Sequence, residues 1–210
     1  MHAHSHLAQA EQLAADIKAG GGAASAVAFD LTDGEATRAA LEPLLERGAV
    51  QVLVNNAGLH DDAVLPGMTP AQWQRVIAVS VHGFYNVTQP LLLPMIRTRW
   101  GRIINVSSVA ALIGNRGQVN YAAAKGALNA ATKALALEVA TRGITVNAIA
   151  PGIIETPMSA GLFDAATIER LVPLNRAGTA DEVAALVSFL ASEEAAYITA
   201  QIISVSGGMA

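Results

Sequence analysis

Short apolar runs alternate with longer stretches of helical periodicity along the chain. The runs have the length and β-branched composition of buried strands, and they cover residues 24–29, 50–54, 103–106, 145–150 and 202–205. Between them, apolar residues recur on one helix face, as at Leu7, Leu13 and Ile17. Neighbouring parallel strands need crossover connections, which are usually helices. The alternation therefore predicts an α/β fold with a doubly wound parallel sheet.

Sequence signals for helix ends divide the chain further. Thr32-Asp-Gly-Glu35 and Thr179-Ala-Asp-Glu182 have the spacing of a capping box, and Thr69-Pro70 matches an N-cap followed by a first-turn proline. Pro90 and Pro94 should kink the long helix that begins there. The expected helices span about 7–19, 32–47, 69–93, 118–139, 164–171 and 179–191, with loops at 110–117 and 153–163.

Composition narrows the class of protein. Hydrophobic residues make up 52% of the chain and charged residues 14%, which suits a sheet covered on both faces. The formal net charge of −4 argues against a nucleic-acid binder, and the lack of cysteine excludes disulfides and thiolate metal sites. The start of the chain lacks the pattern of a signal peptide, and the apolar runs are too short to span a membrane. We therefore expect one cytoplasmic, soluble domain covering 1–210.

Three polar residues stand out at Ser108, Tyr121 and Lys125. Ser108 follows a predicted buried strand, where α/β sheets place their chemistry. Tyr121 and Lys125 lie one turn apart on the same face of a predicted helix. An ammonium group close to a phenol favours the phenolate, so Tyr121 could act as a general acid near neutral pH. With Ser108 as a second hydrogen-bond donor, the three residues suit carbonyl reduction or its reverse.

Other candidate residues follow predicted strands in the same way. Asp30, the block Asn55-Asn56-Ala57-Gly58 and the pair Pro151-Gly152 each come directly after one. Because ligands of doubly wound sheets lie outside the carboxyl ends of the strands, we expect these residues and Ser108 to share one edge of the sheet. A Tyr-x-x-x-Lys pattern alone occurs by chance in many helices, and these neighbours are what give it weight.

Four of these motifs together resemble the classical short-chain dehydrogenases/reductases, and within them the 3-oxoacyl-[acyl-carrier-protein] reductases. They are Asn55-Asn56-Ala57-Gly58, Ile-Ile-Asn-Val-Ser-Ser108, Gly117-Gln-Val-Asn-Tyr121-Ala-Ala-Ala-Lys125 and Val146-Asn-Ala-Ile-Ala-Pro151-Gly152. The resemblance covers essentially the whole chain. It implies a Rossmann-like fold and an NAD(P)-dependent oxidoreductase.

The resemblance also implies roles for individual residues. Ser108 would bond the substrate carbonyl, Tyr121 would transfer the proton, and Lys125 would lower the pKa of the tyrosine and hold the nicotinamide ribose. Gly161-Leu162-Phe163 would form part of a substrate lid. The cofactor-binding residues would be Asp30, Leu31, Asn55, Asn56, Ala57, Gly58, Tyr121, Lys125, Pro151, Gly152, Ile154 and Thr156. NADP(H) is favoured over NAD(H), although His2, His4 and His6, expected in a frayed terminus, leave that choice open.

The chain departs from the family at Ser80. The family has an asparagine at this position, where it helps a chain of water molecules relay protons to the lysine. A serine can also bond water, but it has one donor where asparagine has two. Ser80 is therefore a fourth candidate catalytic residue, and slower turnover is expected.

A second departure concerns the glycine-rich turn that receives the cofactor pyrophosphate in the family. Aligned with the family, Met1 falls near the end of the second strand, so the first strand, that turn and the first helix have no counterpart in the sequence. The first strand would lie mid-sheet, and its loss would leave two open edges, with about 1–3 kcal/mol lost per buried unpaired backbone group. We expect an incomplete record of a longer protein; the alternative is a truncated product that has lost cofactor affinity.

The expected reaction is the NADP(H)-dependent reduction of a 3-oxoacyl thioester to its 3-hydroxy form. Acetoacetyl-CoA, sugar-alcohol or steroid substrates, or a non-catalytic partner subunit, are the alternatives. The resemblance implies a homodimer or homotetramer and docking of acyl carrier protein at Arg99 and Arg142, without nucleic-acid or membrane partners. Alternatively, the cations around Trp100 mark a solvated helix end whose charges complement the helix dipole.

Overall fold

The fold is an α/β arrangement of parallel strands flanked by helices. A computed structural model describes residues 1–156, 161 and 163–210. The strands are β1 (His2–Ala3), β2 (Val27–Ala28), β3 (Val52–Asn55), β4 (Gly101–Val106), β5 (Ile144–Pro151) and β6 (Ile202–Val205). The helices are α1 (Leu7–Ala19), α2 (Gly34–Leu45), α3 (Pro70–Ile77), α4 (Gly83–Thr98), α5 (Ala110–Ile113), α6 (Val119–Val139), α7 (Ala165–Leu171) and α8 (Ala180–Ala191). The predicted class is therefore confirmed.

The strands form two parallel sheets. One has the order β3-β4-β5-β6, and the other consists of β1 and β2 alone. Within the larger sheet, Asn55 pairs with Asn105, and Ile104 pairs with Asn147. Among the described residues no strand joins the two sheets, in agreement with the expected break between the second and fourth strands of the family pattern.

The larger sheet is covered on both faces. Consecutive residues of a strand point to opposite faces, and accordingly Ile103 and Ile104 of β4 belong to different hydrophobic clusters. Ile103 packs with Leu91 and Met95 of α4, whereas Ile104 packs with Leu190 of α8. This two-sided burial explains why the strand sequences are mostly apolar.

The open edge of β3 is less well covered. Val52 and Val54 keep 39% and 38% of their surface exposed, although they lie on the same side of a strand at the end of the four-stranded sheet. An apolar edge strand with free backbone groups is a site for pairing with another chain.

Most predicted helix starts are confirmed. Thr69 and Thr179 are N-caps in complete capping boxes, with Gln72 and Glu182 as the reciprocal partners. The predicted box at Thr32 is wrong, because Asp33 is the N-cap of α2 and accepts bonds from the amides of Glu35 and Ala36. Thr32 instead bonds Asp30 through its amide and hydroxyl, so that it closes the turn after β2.

Two segments are more ordered than expected. The predicted frayed terminus forms β1, where His2 Nε2 donates to the Phe29 carbonyl at 2.8 Å and the His2 ring lies tilted by 46° against the Phe29 ring. The predicted loop 110–117 begins with α5, a single helical turn. Both segments have sequences too short or too polar to show a period, so tertiary contacts decided their structure.

The long helical run Pro70–Thr98 departs from α geometry in an unexpected place. Helix α4 continues through Pro90 and Pro94, whereas Ala78–His82 form a π-helical turn between α3 and α4. The run is long and apolar enough, by length and composition only, to cross a membrane. In this fold Val76, Leu91 and Met95 of the run are buried in the protein, and 28% of its most apolar part is buried in all.

Candidate active site

The carboxyl ends of β3, β4 and β5 meet at one edge of the larger sheet, which we call the carboxyl edge. The block Asn55-Asn56-Ala57-Gly58 leaves β3, Ser107 and Ser108 leave β4, and Pro151-Gly152 leaves β5. The parallel registers place these ends side by side. The structure therefore brings together the three groups of candidates that the sequence placed after these strands.

The turn after β4 is held firmly on β5. The amide of Ser107 donates to the Ile149 carbonyl at 2.7 Å, and the amide of Val109 donates to the Pro151 carbonyl at 3.0 Å. The Ser107 hydroxyl is buried and donates to the Lys125 carbonyl at 3.2 Å. Ser108 is half-buried, and its hydroxyl oxygen accepts the Ala110 amide at 3.1 Å. The backbone at Ser108 is therefore fixed relative to both β5 and α6.

Tyr121 lies in the first turn of α6, with its side chain directed to Ser108. Burial raises the pKa of Tyr121, the hydrogen bond with Ser108 lowers it, and the Asp62 carboxylate raises it again, so that the net direction is upward. The lowering of this pKa expected from Lys125 is not among these contributions, and the Lys125 ammonium lies 5.7 Å from the centroid of the Tyr121 ring. In this state Tyr121 is a protonated phenol, the form that a general acid needs.

Lys125 is a buried cation one turn further along α6. Only 2% of its surface is exposed, and its Nζ donates to the Val106 carbonyl at 2.8 Å. Burial lowers its pKa to about 8. A Cβ on Gly58 would come within 2.9 Å of Nζ, so the ammonium lies directly beside the backbone that follows β3. Lys125 thus links the ends of β3 and β4.

A buried polar network supports the site and was not anticipated from the sequence. The Asn55 amide donates to Thr88 Oγ1 at 3.1 Å and to Asn105 Oδ1 at 2.9 Å, and the Asn105 amide donates to Thr132 Oγ1 at 2.8 Å. These bonds join β3, β4, α4 and α6. The sequence did contain a sign of this network, namely a polar residue within each otherwise apolar strand. Such a residue indicates a hydrogen-bond partner, because buried amides require one.

Asp30 and Leu31 follow β2, and so belong to the smaller sheet. Hydrogen bonds from the Thr32 amide and hydroxyl lower the pKa of Asp30, whose carboxylate is half exposed and lies 3.8 Å from His4. Leu31 is buried against Gly83, and its carbonyl accepts the Asn86 amide at 2.9 Å. The structure leaves the Asp30 side chain open to a ligand but uses that of Leu31 in packing.

The segment after β5 is built on close backbone contacts. A Cβ on Gly152 would lie 2.9 Å from the Ser206 Cα, so only glycine fits there. Ile154 forms a parallel bridge with Gly178, which sets the path of the chain towards Thr156. Of the predicted lid, Leu162 lies outside the described residues.

Ser80 occupies the π-helical turn between α3 and α4, and this turn packs on α6. The side chain is buried, with 2% exposure, and its hydroxyl has no hydrogen-bond partner among the described residues. A buried hydroxyl without a protein partner is unfavourable, and such groups commonly bond water.

Arg99 and Arg142 lie at the opposite edge of the sheet, where β4 and β5 begin. Both side chains are exposed, and Arg99 Nη2 donates to the Thr141 carbonyl at 3.0 Å. By contrast, Arg102 is buried, pairs with Glu193 and stacks on Trp100, so the alternative of a solvated cation is wrong for this residue. The six residues of β4 separate the two exposed arginines from Ser108.

A cleft of about 530 Å³ lies elsewhere, between α2 and α4. Asp33, Arg38, Tyr85 and Asn86 are among its lining residues. It contains none of the groups gathered at the carboxyl edge. The candidate active site is therefore the carboxyl edge.

Comparison with known proteins agrees with this assignment. A family model described as enoyl-(acyl carrier protein) reductase matches residues 2–210. The 3-oxoacyl-[acyl-carrier-protein] reductase FabG of Aggregatibacter actinomycetemcomitans is 42% identical, with 100% of this chain and 87% of the relative covered. FabG of Pseudomonas aeruginosa is 42% identical over 95% of this chain and 82% of the relative. An acetoacetyl-CoA reductase of an Acinetobacter species is 42% identical over 87% of this chain and 75% of the relative.

These matches extend over the strands, the helices and the carboxyl edge alike. The motifs that first indicated the family are also the residues that the fold gathers into one site, at Ser108, Tyr121 and Lys125. The chain therefore belongs to the short-chain dehydrogenase/reductase family and is an oxidoreductase that uses a nicotinamide dinucleotide.

Proposed function

We propose that the protein reduces a 3-oxoacyl thioester to the 3-hydroxyacyl form with NADPH, at the site formed by Ser108, Tyr121 and Lys125. The observation that supports this most is the protonated phenol of Tyr121 bonded to the Ser108 hydroxyl, with a buried ammonium one turn away. Two adjacent hydroxyl donors are what an oxygen needs when a ketone becomes an alkoxide.

The three residues would bind the substrate carbonyl, protonate it and then restore the proton of the tyrosine. The substrate carbonyl oxygen accepts bonds from the Ser108 and Tyr121 hydroxyls, and Tyr121 then gives its proton to that oxygen. The positive charge of Lys125 stabilises the phenolate left behind, and its folded pKa of about 8 makes it a suitable source of the replacement proton. When bound, the nicotinamide supplies the hydride to the carbonyl carbon.

Several residues fit the nicotinamide half of the cofactor. The ammonium of Lys125 is buried without a carboxylate partner among the described residues, so a ribose hydroxyl suits it as a further acceptor. Asn56 and Ala57, which follow β3 next to Gly58, are exposed and so available to a ligand. We assign the adenosine to Asp30 and the nicotinamide amide to Pro151, Ile154 and Thr156.

Two assays on the purified protein test the substrate and the cofactor. The first compares the reduction of acetoacetyl-CoA with that of a longer 3-oxoacyl thioester, a 2-enoyl thioester, a ketose (the oxidised form of a sugar alcohol) and a ketosteroid. The second compares NADPH with NADH. The proposal expects the largest kcat/KM for a 3-oxoacyl thioester with NADPH. A preference for the enoyl thioester would overturn it in favour of the reaction that the family model names.

Acyl carrier protein is the proposed donor of the substrate, with Arg99 and Arg142 as its docking site. Because these arginines lie at the edge opposite to Ser108, a carrier docked there would serve the site of a neighbouring copy. Exposed Leu93 on α4 and Leu137 on α6, at 55% and 80%, offer apolar surface for a homodimer or homotetramer. Such a carrier is cytoplasmic, and we place this protein with it.

Charge reversal at Arg99 is expected to separate carrier-bound from free substrates. Arg99→Glu should raise KM for a 3-oxoacyl carrier protein about tenfold, a loss of about 1.4 kcal/mol, because an acidic partner loses an attraction and gains a repulsion. KM for acetoacetyl-CoA should stay within about twofold. Arg97→Glu, at an exposed arginine outside the pair, is the control, and equal effects of the two changes would refute the docking site.

The Ser80 hydroxyl is expected to contribute to proton delivery through bound water. Ser80→Ala should lower kcat about fivefold, which corresponds to the loss of one hydrogen bond of about 1 kcal/mol. The melting temperature should stay equal or rise, since the change removes a buried hydroxyl without a protein partner. Steady-state kinetics and calorimetry measure the two effects, and an unchanged kcat would assign Ser80 to packing alone.

A non-catalytic partner subunit is the second candidate. The observation in its favour is the separation of the described strands into two sheets, with Asp30 on one and the catalytic candidates on the other. Thermal unfolding with and without NADPH or NADH discriminates, because a ligand that binds only the folded state raises its stability. The enzyme gains stability with NADPH, whereas a partner subunit that has lost the dinucleotide site is indifferent to both.

A further inference from the structure

A buried asparagine beside Tyr121 uses every polar atom of its side chain. Asn120 is 0% exposed. Its Oδ1 accepts the backbone amide of Tyr121 at 2.8 Å, and its Nδ2 donates to the carbonyls of Asp61 at 3.0 Å and Gln72 at 3.4 Å. Since a buried amide is unfavourable unless it is paired, these bonds fix the place where α6 begins.

Asn120 also caps the first turn of α6. The first amides of a helix have no partner within the helix. Gln118, the N-cap of α6, makes no side-chain capping bond. The amide of Tyr121 is one of these first amides, and Asn120 supplies its acceptor from inside the first turn. The backbone at Tyr121 is thus held by a side chain whose other end is bound to a different part of the chain.

That other part is the segment 61–63, which is itself tied to α6 and α3. Gln118 Nε2 donates to Asp62 Oδ2 at 2.8 Å, and the Ala63 amide donates to the Gly117 carbonyl at 2.9 Å. The Asp61 carboxylate accepts Gln72 Nε2 at 2.9 Å and pairs with Arg75. The segment is therefore joined by side-chain and backbone bonds both to α3 and to the first turn of α6.

We infer that Asn120 is a positioning residue that places the Tyr121 hydroxyl relative to the cofactor-binding block 55–58. The block continues into segment 61–63 after only two residues, and Asn120 joins that segment to the backbone of Tyr121. The position of the proton donor, Tyr121, is in this way fixed relative to the block 55–58, which would lie beside the hydride donor. The inference rests on the proposed function, because that function gives Tyr121 its role.

Asn147 offers a matched control. It is also a 0% exposed asparagine, with Nδ2 donating to the Ile198 carbonyl at 2.8 Å and Oδ1 accepting the Gln201 amide at 3.1 Å. It lies in the middle of β5, away from the candidate site. Asn120→Ala and Asn147→Ala should therefore lower the melting temperature by similar amounts. Only Asn120→Ala should affect the position of Tyr121.

The experiment measures kinetics with acetoacetyl-CoA and NADPH, together with amide hydrogen exchange of the wild type and both variants. We expect Asn120→Ala to lower kcat at least about tenfold below Asn147→Ala, because small displacements of a reacting group are costly. KM for acetoacetyl-CoA should change less than about threefold. The peptides covering 59–64 and 118–124 should lose protection together in Asn120→Ala and keep it in Asn147→Ala.

The outcomes separate this inference from the proposed function. If the wild type oxidises no NADPH with any thioester, the proposed function fails, while exchange still reports whether Asn120 holds the two segments together. If the wild type is active and the two variants have equal kcat, or the two peptides exchange independently, the inference is overturned.

Discussion

Replacing Tyr121 by phenylalanine should lower kcat by about 10²- to 10⁴-fold, the range typical for removal of a general acid. Phenylalanine keeps the ring and its packing but has no proton to give to the carbonyl oxygen. Burial and the Asp62 carboxylate hold the pKa of Tyr121 above its ordinary value, so the wild type carries this proton throughout the neutral range. Steady-state oxidation of NADPH with acetoacetyl-CoA measures the loss.

The stability of Tyr121→Phe provides the control for this change. The hydroxyl of Tyr121 bonds a half-buried serine, so its loss should shift the free energy of unfolding by no more than about 1 kcal/mol. NADPH should stabilise wild type and variant equally. A variant that retains a tenth or more of the wild-type kcat would show that another group delivers the proton.

Lys125→Met should abolish activity and remove a pH dependence of stability. The folded pKa of Lys125 is about 8, against 10.5 for the free side chain. Below pH 8 both the folded and the unfolded chain carry the proton, and the folded chain bears the full desolvation penalty. Between pH 8 and 10.5 the unfolded chain holds a proton that the folded chain has released, so stability rises with pH.

The expected size of this rise follows from the two pKa values. The difference of about 2.5 pH units between 8 and 10.5 corresponds to about 3 kcal/mol. Denaturant unfolding of the wild type and Lys125→Met, at several values between about pH 7 and pH 10, measures it as the difference between the two curves. Other groups titrate equally in both proteins and cancel. A difference that is constant over this range would show that Lys125 is not buried as a cation.

The activity of the wild type should decrease as the pH rises, whereas its stability increases. As pH rises through about 8, Lys125 loses the charge that stabilises the tyrosine phenolate. The protein is therefore expected to gain stability over the same interval in which kcat declines. This opposition is typical of an active site that holds an unfavourable buried charge for its chemistry.

The elements that the sequence predicted well are those whose pattern is local. Strands β4 and β5 are mostly apolar runs, and the caps at Thr69 and Thr179 need only four consecutive residues. Asp33 replaced Thr32 as a cap because both can accept the first amides, and only the path of the chain after β2 decides between them. The π-helical turn at 78–82 has no local signal, since its geometry depends on what packs against it.

The same distinction holds for the candidate site. Ser108, Tyr121 and Lys125 could be found from their spacing and from the strands before them. The pKa values of these residues could not be predicted from the sequence. The pKa of Tyr121 depends on Asp62, which is distant in sequence and lies on a loop that is hydrogen-bonded to Gln118 at the start of α6. Asn120 and the network from Asn55 to Thr132 were missed for the same reason. Their roles lie in contacts between segments that the sequence does not show as neighbours.

Transfer of hydride from the cofactor to the substrate tests the central claim most directly. The protein is incubated with acetoacetyl-CoA and NADPH that carries two deuterium atoms at the reactive ring carbon, and the product is analysed by mass spectrometry. We expect a 3-hydroxy thioester with one deuterium on carbon 3, formed by the wild type and by Asn147→Ala, and about 10²- to 10⁴-fold more slowly by Tyr121→Phe. A wild type that binds NADPH yet forms no deuterated product, or Tyr121→Phe forming it at the wild-type rate, would contradict the account.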